Sequence, residues 1–251
     1  MEEPRGDDVT TAIEATDVSL AYRLTHDRAG SMKEFAIGFA KRKTEREEFW
    51  AVKGVSFTLD PGQVLGVVGP NGAGKSTLMK MVARVLPPTE GRMVVRGAVA
   101  PMIELGAGFN QEMSAYDNIV LYGTLLGRTP SQMRERAGSI AEWAGLTDFI
   151  DVPVRSFSSG MMARLGFAIA TDTRADVLVI DEVLSVGDAA FQEKSKKRIQ
   201  DGIESGAAVL FVSHDLDTVQ SISDRVLWLD HGDSVMLGDP TEVVEAYAGG
   251  A

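Results

Sequence analysis

The sequence has no cysteine among its 251 residues, and it has no apolar stretch of the ~18 residues that a membrane-spanning helix requires. The first absence excludes disulfide bonds, cysteine-based zinc sites and thiol nucleophiles, and it fits a reducing compartment. The second indicates a soluble or peripheral protein. Any role at a membrane would then depend on a partner chain that provides the spanning segments.

Positive charge is also scarce, because 25 Lys and Arg residues stand against 36 Asp and Glu, a net charge of −11. A nucleic-acid-binding surface needs clustered Lys and Arg to neutralise phosphates, so we expect no nucleic acid partner. Residues 1–12 begin Met-Glu-Glu-Pro, an acidic start that is the opposite of a signal peptide. We interpret them as a flexible tail.

A glycine-rich segment, residues 69–77, fits the phosphate-binding pattern G-x-x-x-x-G-K-[ST]. It follows the apolar run 64–68, which predicts a buried strand, and it precedes 78–86, which predicts a helix. In this arrangement the glycines let successive N–H groups point at phosphate oxygens, and the helix N-terminus adds positive charge. The residues expected to contact phosphate are Gly69, Pro70, Asn71, Gly72, Ala73, Gly74, Lys75, Ser76 and Thr77.

Several polar side chains suit chemistry on a triphosphate. Lys75 can bridge the β- and γ-phosphates, and the Ser76 hydroxyl can ligate Mg²⁺. Asp181 and Glu182 end and follow a predicted buried strand, where one carboxylate can hold the metal ion through a water and the other can orient the attacking water. His214 follows another such strand and can donate to the γ-phosphate, although a single histidine there is more often structural.

Predicted strands alternate with predicted helices along most of the chain. This order indicates an α/β sheet whose ligand lies at the carboxyl ends of the strands. Residues 112–171 are largely helical, interrupt the alternation and should form a separate lobe. The predicted strands cover 15–24, 49–59, 64–68, 93–103, 177–181, 207–213, 225–229 and 234–237, and the helices outside the lobe cover 78–86, 191–203 and 240–248.

Residues 25–48 break the pattern between two strands. Met32, Phe35 and Phe39 fall at helical spacing, and Lys41-Arg-Lys43 follows them. We interpret the segment as an inserted amphipathic helix with a basic end. It either packs on its own domain or docks on a membrane partner or the lipid surface.

Small residues begin another predicted helix, at Ser158, Ser159, Gly160 and Met161. Such a helix start can form a second anion-binding nest. Because the glycine-rich loop already binds a phosphate, this nest suggests a nucleotide that is held by a second subunit. The alternative is an ordinary serine N-cap.

These segments together resemble the nucleotide-binding domain of ATP-binding-cassette (ABC) transporters, over residues 15–237. The resemblance implies an α/β P-loop NTPase (RecA-like) core with an antiparallel β-subdomain and an α-helical subdomain. Gly69–Thr77 resembles the Walker A loop, and Asp181 ends a segment that resembles Walker B. Glu182 then corresponds to the catalytic glutamate, and His214 to the switch histidine.

Departures from the common pattern resemble one branch of that family, the exporters of lipid-linked polysaccharide such as O-antigen and teichoic acid. Ser158 and Gly160 keep two positions of the usual Leu-Ser-Gly-Gly-Gln signature, and Arg164-Leu-Gly-Phe-Ala168 follows. Glu104 stands where most cassettes have the Q-loop glutamine and is an expected Mg²⁺ ligand. Asp188 corresponds to the D-loop.

The resemblance also implies how adenine is held. Tyr22 is expected to stack on the base, with Trp50 across the hairpin as the alternative. Some members of the branch carry a carbohydrate-binding domain after the cassette. The sequence ends at Ala251, so we expect no such domain here and would place sugar selectivity in the membrane partner.

The implied assembly is a head-to-tail homodimer that sandwiches two ATP molecules with Mg²⁺. Each ATP would contact the glycine-rich loop of one copy and Ser158–Met161 of the other. A polytopic permease would handle the lipid-linked glycan, with the cassette peripheral at the cytoplasmic face of the cell membrane. The alternatives are an importer ATPase, a soluble cassette acting on nucleic acid or ribosomes, and a small-molecule kinase.

Overall fold

The computed structural model describes residues 11–24, 47–103, 105–106, 108–172, 174–181 and 188–250. The strands in this part of the chain are β1 Ile13–Leu24, β2 Glu47–Leu59, β3 Val64–Val68, β4 Glu90–Val95, β5 Val99–Met102, β6 Val177–Asp181, β7 Ala208–Val212, β8 Arg225–Asp230 and β9 Asp233–Gly238. The α-helices are α1 Lys75–Val82, α2 Ala115–Leu125, α3 Pro130–Ala144, α4 Ser159–Thr171, α5 Ala189–Glu204, α6 Leu216–Ile222 and α7 Pro240–Gly250.

These strands form one mixed sheet in the order β4-β1-β2-β9-β8-β3-β7-β6-β5. The strands β5, β6, β7, β3 and β8 run parallel, whereas β1 pairs antiparallel with β2 and β4, and β9 with β8. β3 and β7 are buried along their whole length, and for that reason they show unbroken apolar runs instead of alternation. The predicted α/β sheet is confirmed.

Apolar side chains cover both faces of this sheet. On one face, α1 packs Leu78 and Met79 against strands that contribute Val52 and Leu210. On the other face, α4, α5 and α7 pack against the parallel strands, with Phe167 of α4 in the contact. Burial of this kind contributes about 25 cal/mol per Å² of apolar surface and fixes the sheet that positions the site.

The helices α2, α3 and α4 form a lobe with its own buried cluster. Ile119, Met133 and Leu165, one from each helix, are at most 1% exposed within it. Since α4 also places Phe167 against the sheet, this helix connects the lobe with the core. Among the described residues, no helix combines the length and the apolar character needed to cross a bilayer.

Several element boundaries differ from the predicted ones. Ala12, assigned to the tail, is buried and its N–H donates to the carbonyl of Leu59 at 2.8 Å, so the sheet begins before β1 proper. Glu47 and Glu48, assigned to the inserted segment, belong to β2 and pair with β1. The sequence pattern does not predict α6, because seven residues are too few to show a helical period. The remaining predicted tail at 1–10 and insert at 25–46 lie outside the described residues.

Candidate nucleotide-binding site

Three neighbouring parallel strands bring the predicted phosphate chemistry to one edge of the sheet. Val67 of β3 pairs with Val212 of β7, and Val212 in turn pairs with Asp181 of β6. Adjacent strands lie about 4.8 Å apart, so the loop after β3, the carboxylate that ends β6 and His214 after β7 lie close together. This edge is formed by the carboxyl ends of the strands, where ligands bind in open α/β sheets.

Two glycines allow the loop after β3 to pass close to its neighbours. Gly69 has a φ of 145° and Gly74 a φ of 104°, values in the region that favours glycine. A Cβ on Gly69 would lie 2.1 Å from the carbonyl oxygen of Leu229, and a Cβ on Gly74 would lie 2.2 Å from that of Ala51. No side chain fits at either position without displacing backbone.

The Lys75 ammonium is turned back into this loop. Its Nζ donates to the carbonyl oxygens of Gly69 at 2.6 Å and Pro70 at 2.9 Å, and the residue is 8% exposed. Helix α1 begins here with Gly74 as its N-cap, which offers no side chain to the N–H groups of the first turn. A cation and a helix N-terminus without a side-chain cap therefore converge on one point, and this arrangement favours a bound anion.

The loop forms one wall of a cleft with a volume of ≈ 320 Å³, within the range of pockets that hold small molecules. The residues that line the cleft are Tyr22, Phe49, Ala51, Asn71, Gly72, Ala73, Gly74, Lys75, Ser76, Thr77, Asp181, Val212 and His214. Most of the predicted phosphate loop is thus in the cleft together with Asp181 and His214. Gly69 and Pro70 do not line it and instead accept the hydrogen bonds of Lys75.

Two aromatic rings lie at the mouth of the cleft. Tyr22 of β1 and Phe49 of β2 are direct partners in the antiparallel register, so both side chains project from the same face of the pair. Tyr22 is 37% exposed and Phe49 is 53% exposed, and the Tyr22 hydroxyl lies 3.4 Å from the hydroxyl of Thr77. Trp50 pairs with Ala21 instead and does not line the cleft, because successive side chains on a strand point to opposite faces.

Trp50, the predicted alternative to Tyr22, therefore does not line the cleft, whereas Phe49, which the sequence interpretation does not name, does. The signal that could have found it is the alternation along β2, in which Phe49 and Ala51 line the cleft and Trp50 between them does not. That signal becomes decisive only when the register with Tyr22 is known.

His214 is exposed at the cleft, just ahead of α6. The next residue, Asp215, is the N-cap of α6. Its carboxylate accepts the hydroxyl of Thr218 at 2.5 Å and the backbone N–H of Thr218 at 3.3 Å. The Thr218 hydroxyl, followed by this backbone N–H, holds the pKa of the Asp215 carboxyl below its usual range. The cap fixes the backbone directly after His214.

Two side chains in the cleft could hold a metal ion, and both would bind it through oxygen atoms. Ser76 and Asp181 line the cleft, and hydroxyl and carboxylate oxygens suit Mg²⁺, which commonly completes its shell with substrate phosphates and water. Within the described ranges, no group of three or more His, Asp and Glu side chains is arranged to hold a metal ion by itself. The third predicted ligand, Glu104, lies outside the described residues, as does the predicted catalytic Glu182.

The second predicted anion site does not belong to this cleft. Ser158 is the N-cap of α4, and its hydroxyl accepts the N–H of Met161 at 3.2 Å, as expected for an ordinary serine cap. Ser159 is exposed, and Gly160 and Met161 are half-buried. These four residues, all described, are not among those that line the cleft, so the start of α4 presents a surface of its own.

Asp188 also lies away from the cleft. It is the N-cap of α5, where its Oδ1 accepts the N–H of Phe191 at 2.9 Å. Its Oδ2 accepts Nη2 of Arg164, on α4, at 3.0 Å. The carboxylate therefore joins the beginning of α5 to the lobe helix α4.

Comparison with known proteins agrees with this geometry. Residues 52–185 match the family described as "ABC transporter". The chain is 39% identical over 94% of its length to the O-antigen export system ATP-binding protein RfbB of Klebsiella pneumoniae, of which the match covers 96%. It is also 39% identical over 92% of its length to the teichoic acids export ATP-binding protein TagH of Shouchella clausii, of which the match covers only 64%.

Solved structures share the fold at lower identity. A dimeric ATP-binding cassette in a post-hydrolysis state with ADP and Pi has a TM-score of 0.71 and 18% identity, with 91% of this chain and 98% of that chain covered. An ATP-binding subunit of an ABC transporter has a TM-score of 0.74 and 19% identity, with 95% and 94% covered. With the phosphate loop and the strand-end acid in place, the chain belongs to the ABC transporter family as an ATP-binding cassette with ATPase activity.

Proposed function

We propose that the chain is the ATP-hydrolysing subunit of an exporter of lipid-linked polysaccharide, of the O-antigen or teichoic acid type. The observation that carries the proposal is the register of β3, β7 and β6, which brings the phosphate loop, His214 and Asp181 to one cleft. The substrate class is supported by the relatives, which are named for export of O-antigen and of teichoic acids.

In the proposed reaction each side chain has one task. Lys75 exchanges the carbonyls of Gly69 and Pro70 for the β- and γ-phosphates of ATP. Ser76 and Asp181 would hold Mg²⁺, which would neutralise charge on the phosphates. Glu182, the residue after Asp181, orients and deprotonates the attacking water, and His214 donates to the γ-phosphate. Glu104 would be the third ligand of the metal ion.

The site is completed by a second copy of the chain. The start of α4 is a helix N-terminus with an exposed Ser159, and it presents a surface outside the cleft. In a head-to-tail dimer, Ser158–Met161 of one copy would meet the γ-phosphate held in the cleft of the other, and Asp188 would lie beside the same interface. Because the γ-phosphate bridges both surfaces, ATP closes the dimer and hydrolysis reopens it.

Transport itself is assigned to a polytopic permease, with the cassette peripheral at the cytoplasmic face of the cell membrane. The relatives' names support this division of labour, since they describe an ATP-binding protein of an export system. The permease handles the lipid-linked glycan, and the cassette supplies the motion.

The variant Glu182→Gln tests the hydrolytic assignment. It is expected to bind ATP with wild-type affinity, to lose turnover by at least about 100-fold and to accumulate as an ATP-bound dimer. Glu193→Gln, the same substitution on the exposed surface of α5, is the matched control and is expected to hydrolyse ATP normally. Wild-type turnover by Glu182→Gln contradicts the assignment of the base.

The substrate class needs a separate test in the cell of origin. Cells that depend on Glu182→Gln are expected to retain lipid-linked glycan on the cytoplasmic side, while their uptake of nutrients stays normal. A polytopic membrane protein should co-purify with the wild-type chain. Loss of an uptake activity with normal surface glycan would instead identify an importer, and RNA in place of the membrane protein would identify the nucleic-acid class.

A further inference from the structure

The turn between β8 and β9 lies against the glycine-rich loop, outside the cleft. Gly232 in this turn donates its backbone N–H to the carbonyl oxygen of Ala73 at 3.1 Å, and its own carbonyl oxygen accepts the N–H of Lys53, on β2, at 2.8 Å. Ala73 lines the cleft, whereas neither Gly232 nor Lys53 does. One residue of the turn therefore links the glycine-rich loop to the strand β2.

The strand β2 also carries part of the aromatic surface at the mouth of the cleft. Phe49 and Ala51 line the cleft, and Phe49 faces Tyr22 of β1 in the register. Lys53 follows four residues after Phe49, about 13 Å along an extended strand. Gly232 thus holds β2 a short distance from the ring that would contact the base.

An ion pair next to this link contributes less than the backbone does. Lys53 and Asp233 are paired in parallel between β2 and β9, and Lys53 Nζ donates to Oδ2 of Asp233 at 3.0 Å. The two side chains are 42% and 60% exposed, and exposed pairs of this kind add little stability. The placement of β2 against the turn therefore depends on the backbone hydrogen bonds of Gly232 more than on this pair.

The peptide group of Ala51 lies close to both the turn and the glycine-rich loop. A Cβ on Gly232 would lie 3.0 Å from the carbonyl oxygen of Ala51 and 3.1 Å from its carbonyl carbon, and the third nearest atom, the carbonyl oxygen of Trp50, also belongs to β2. A Cβ on Gly74, in the loop, would lie 2.2 Å from the same Ala51 oxygen. The turn, β2 and the loop therefore meet at one carbonyl group, and a side chain on Gly232 would push β2 and not the loop.

The backbone of the turn adopts a conformation that its surroundings must hold. Asp230 and Asp233 pair across the hairpin, so His231 and Gly232 form a two-residue loop, with φ values of 47° and 87°. Positive φ is common in such hairpin loops, but a residue other than glycine adopts it at a cost in free energy. Backbone strain that the rest of the structure maintains is a reason to look for a function.

We propose that Gly232 is a positioning residue that sets the distance between the aromatic surface on β2 and the glycine-rich loop. ATP can contact both only if that distance matches the length of the nucleotide, and a preset distance removes the cost of ordering the two parts on binding. This inference rests on the proposed function, because it requires ATP in the cleft. Gly232 does not line the cleft and acts through Ala73 and Lys53.

The test compares the binding of ATP, with Mg²⁺ present, with that of tripolyphosphate, which has the phosphates but no base. Gly232→Ala is expected to raise the Kd for ATP roughly tenfold and the Kd for tripolyphosphate by less than about twofold, both measured by isothermal titration calorimetry. In a background with both Tyr22→Ala and Phe49→Ala, where the base has lost its aromatic contacts, Gly232→Ala should raise the Kd for ATP by less than about twofold. Gly232→Asn adds the same Cβ with less backbone strain, and it carries the test if the alanine variant does not fold.

The control is Gly127→Ala, in the connection between α2 and α3. Gly127 has a φ of 91°, close to that of Gly232, but a Cβ on it would meet nothing within 4 Å. This variant is expected to lose stability through backbone strain alone and to bind both ligands as the wild type does.

Three results would overturn the inference. They are equal losses of affinity for ATP and tripolyphosphate in Gly232→Ala, unchanged affinity for both ligands, and an undiminished further loss of ATP affinity in the background that lacks the two rings. If instead the wild type does not bind ATP, it is the proposed function that fails.

Discussion

Tyr22 on β1 and Phe49 on β2 lie directly opposite each other in the antiparallel register, and both rings line the mouth of the cleft. The residues between them in sequence include the whole 25–46 segment, so two distant positions form one aromatic surface. The Tyr22 hydroxyl is within 3.4 Å of Thr77 at the start of α1. An adenine ring stacked against this aromatic surface would have its phosphates directed towards the glycine-rich loop.

Replacement of either ring should weaken nucleotide binding. Tyr22→Ala and Phe49→Ala are each expected to cost about 1–3 kcal/mol of ATP affinity, the value of one base–aromatic stack. Trp50→Phe, on the opposite face of β2, should bind ATP as the wild type does. Titration with a fluorescent ATP analogue measures all three. A loss of ATP affinity with Trp50→Phe and none with Phe49→Ala would show that the base binds on the Trp50 face of β2, contrary to this prediction.

Lys75 should matter more for ATP than for ADP. Lys75→Met removes the cation that now donates to Gly69 and Pro70, and with it a charged hydrogen bond to phosphate worth about 1.5–3 kcal/mol. Since the ammonium is expected to contact the γ-phosphate, the loss of affinity should be larger for ATP. Isothermal titration calorimetry with both nucleotides measures it, and Lys197→Met on the exposed face of α5 is the control. Equal losses for the two nucleotides would argue against a γ-phosphate contact.

Alanine at Gly74 should lower the unfolding free energy of the nucleotide-free protein more than alanine at Gly72 does. Both have positive φ, 104° and 82°, so alanine at either position should cost about 1–2 kcal/mol of backbone strain. A Cβ on Gly74 would also meet the Ala51 carbonyl at 2.2 Å, whereas a Cβ on Gly72 meets nothing within 4 Å. Urea unfolding should therefore find Gly74→Ala clearly the less stable variant. Similar urea midpoints for the two variants would show that the loop accommodates a Cβ at position 74 without a further loss of stability.

Acid should weaken the cap beside His214. The hydrogen bonds from Thr218 favour the charged Asp215 carboxylate and place its pKa below that of the unfolded chain. The stabilisation is therefore fully present above the unfolded pKa of about 3.9 and is lost as the pH falls through the folded value. Asp215→Asn keeps a capping side chain without a charge, so the wild type should be more stable at pH 7 and the difference should shrink below about pH 4. Urea unfolding across this range measures the difference, and a pH-independent difference would contradict the assigned cause.

Strands that are buried on both faces could be predicted from the sequence almost to the residue. Residues 64–68 and 177–181 coincide with β3 and β6. A short, almost unbroken apolar run that ends at a glycine loop or at an acid is typical of a strand buried on both faces. The phosphate loop could be predicted for a similar reason, since its glycines, lysine and serine are close in sequence. Asp181 and His214 needed one further step, the assumption that their strands are neighbours, and the register confirms it.

Contacts that depend on distant register could not be predicted. The choice between Phe49 and Trp50 is a difference of one residue across a long insertion, and only the pairing with Tyr22 decides it. The Arg164–Asp188 pair joins residues 24 positions apart through two helices whose relative placement follows from packing against Trp143 and Phe167. No local pattern encodes such a contact.

Val212 carries no reactive group and is 4% exposed, yet its pairing with both Val67 and Asp181 aligns the strand ends that carry the phosphate loop, Asp181 and His214. A slip of β7 by a single residue would exchange the two faces of the strand and carry His214 about 3.3 Å along it. Alterations at Leu210 or Phe211, which are buried beneath this edge, can thus impair hydrolysis while leaving every polar group intact. The packing of the apolar core beneath this edge therefore determines how accurately its polar groups are placed.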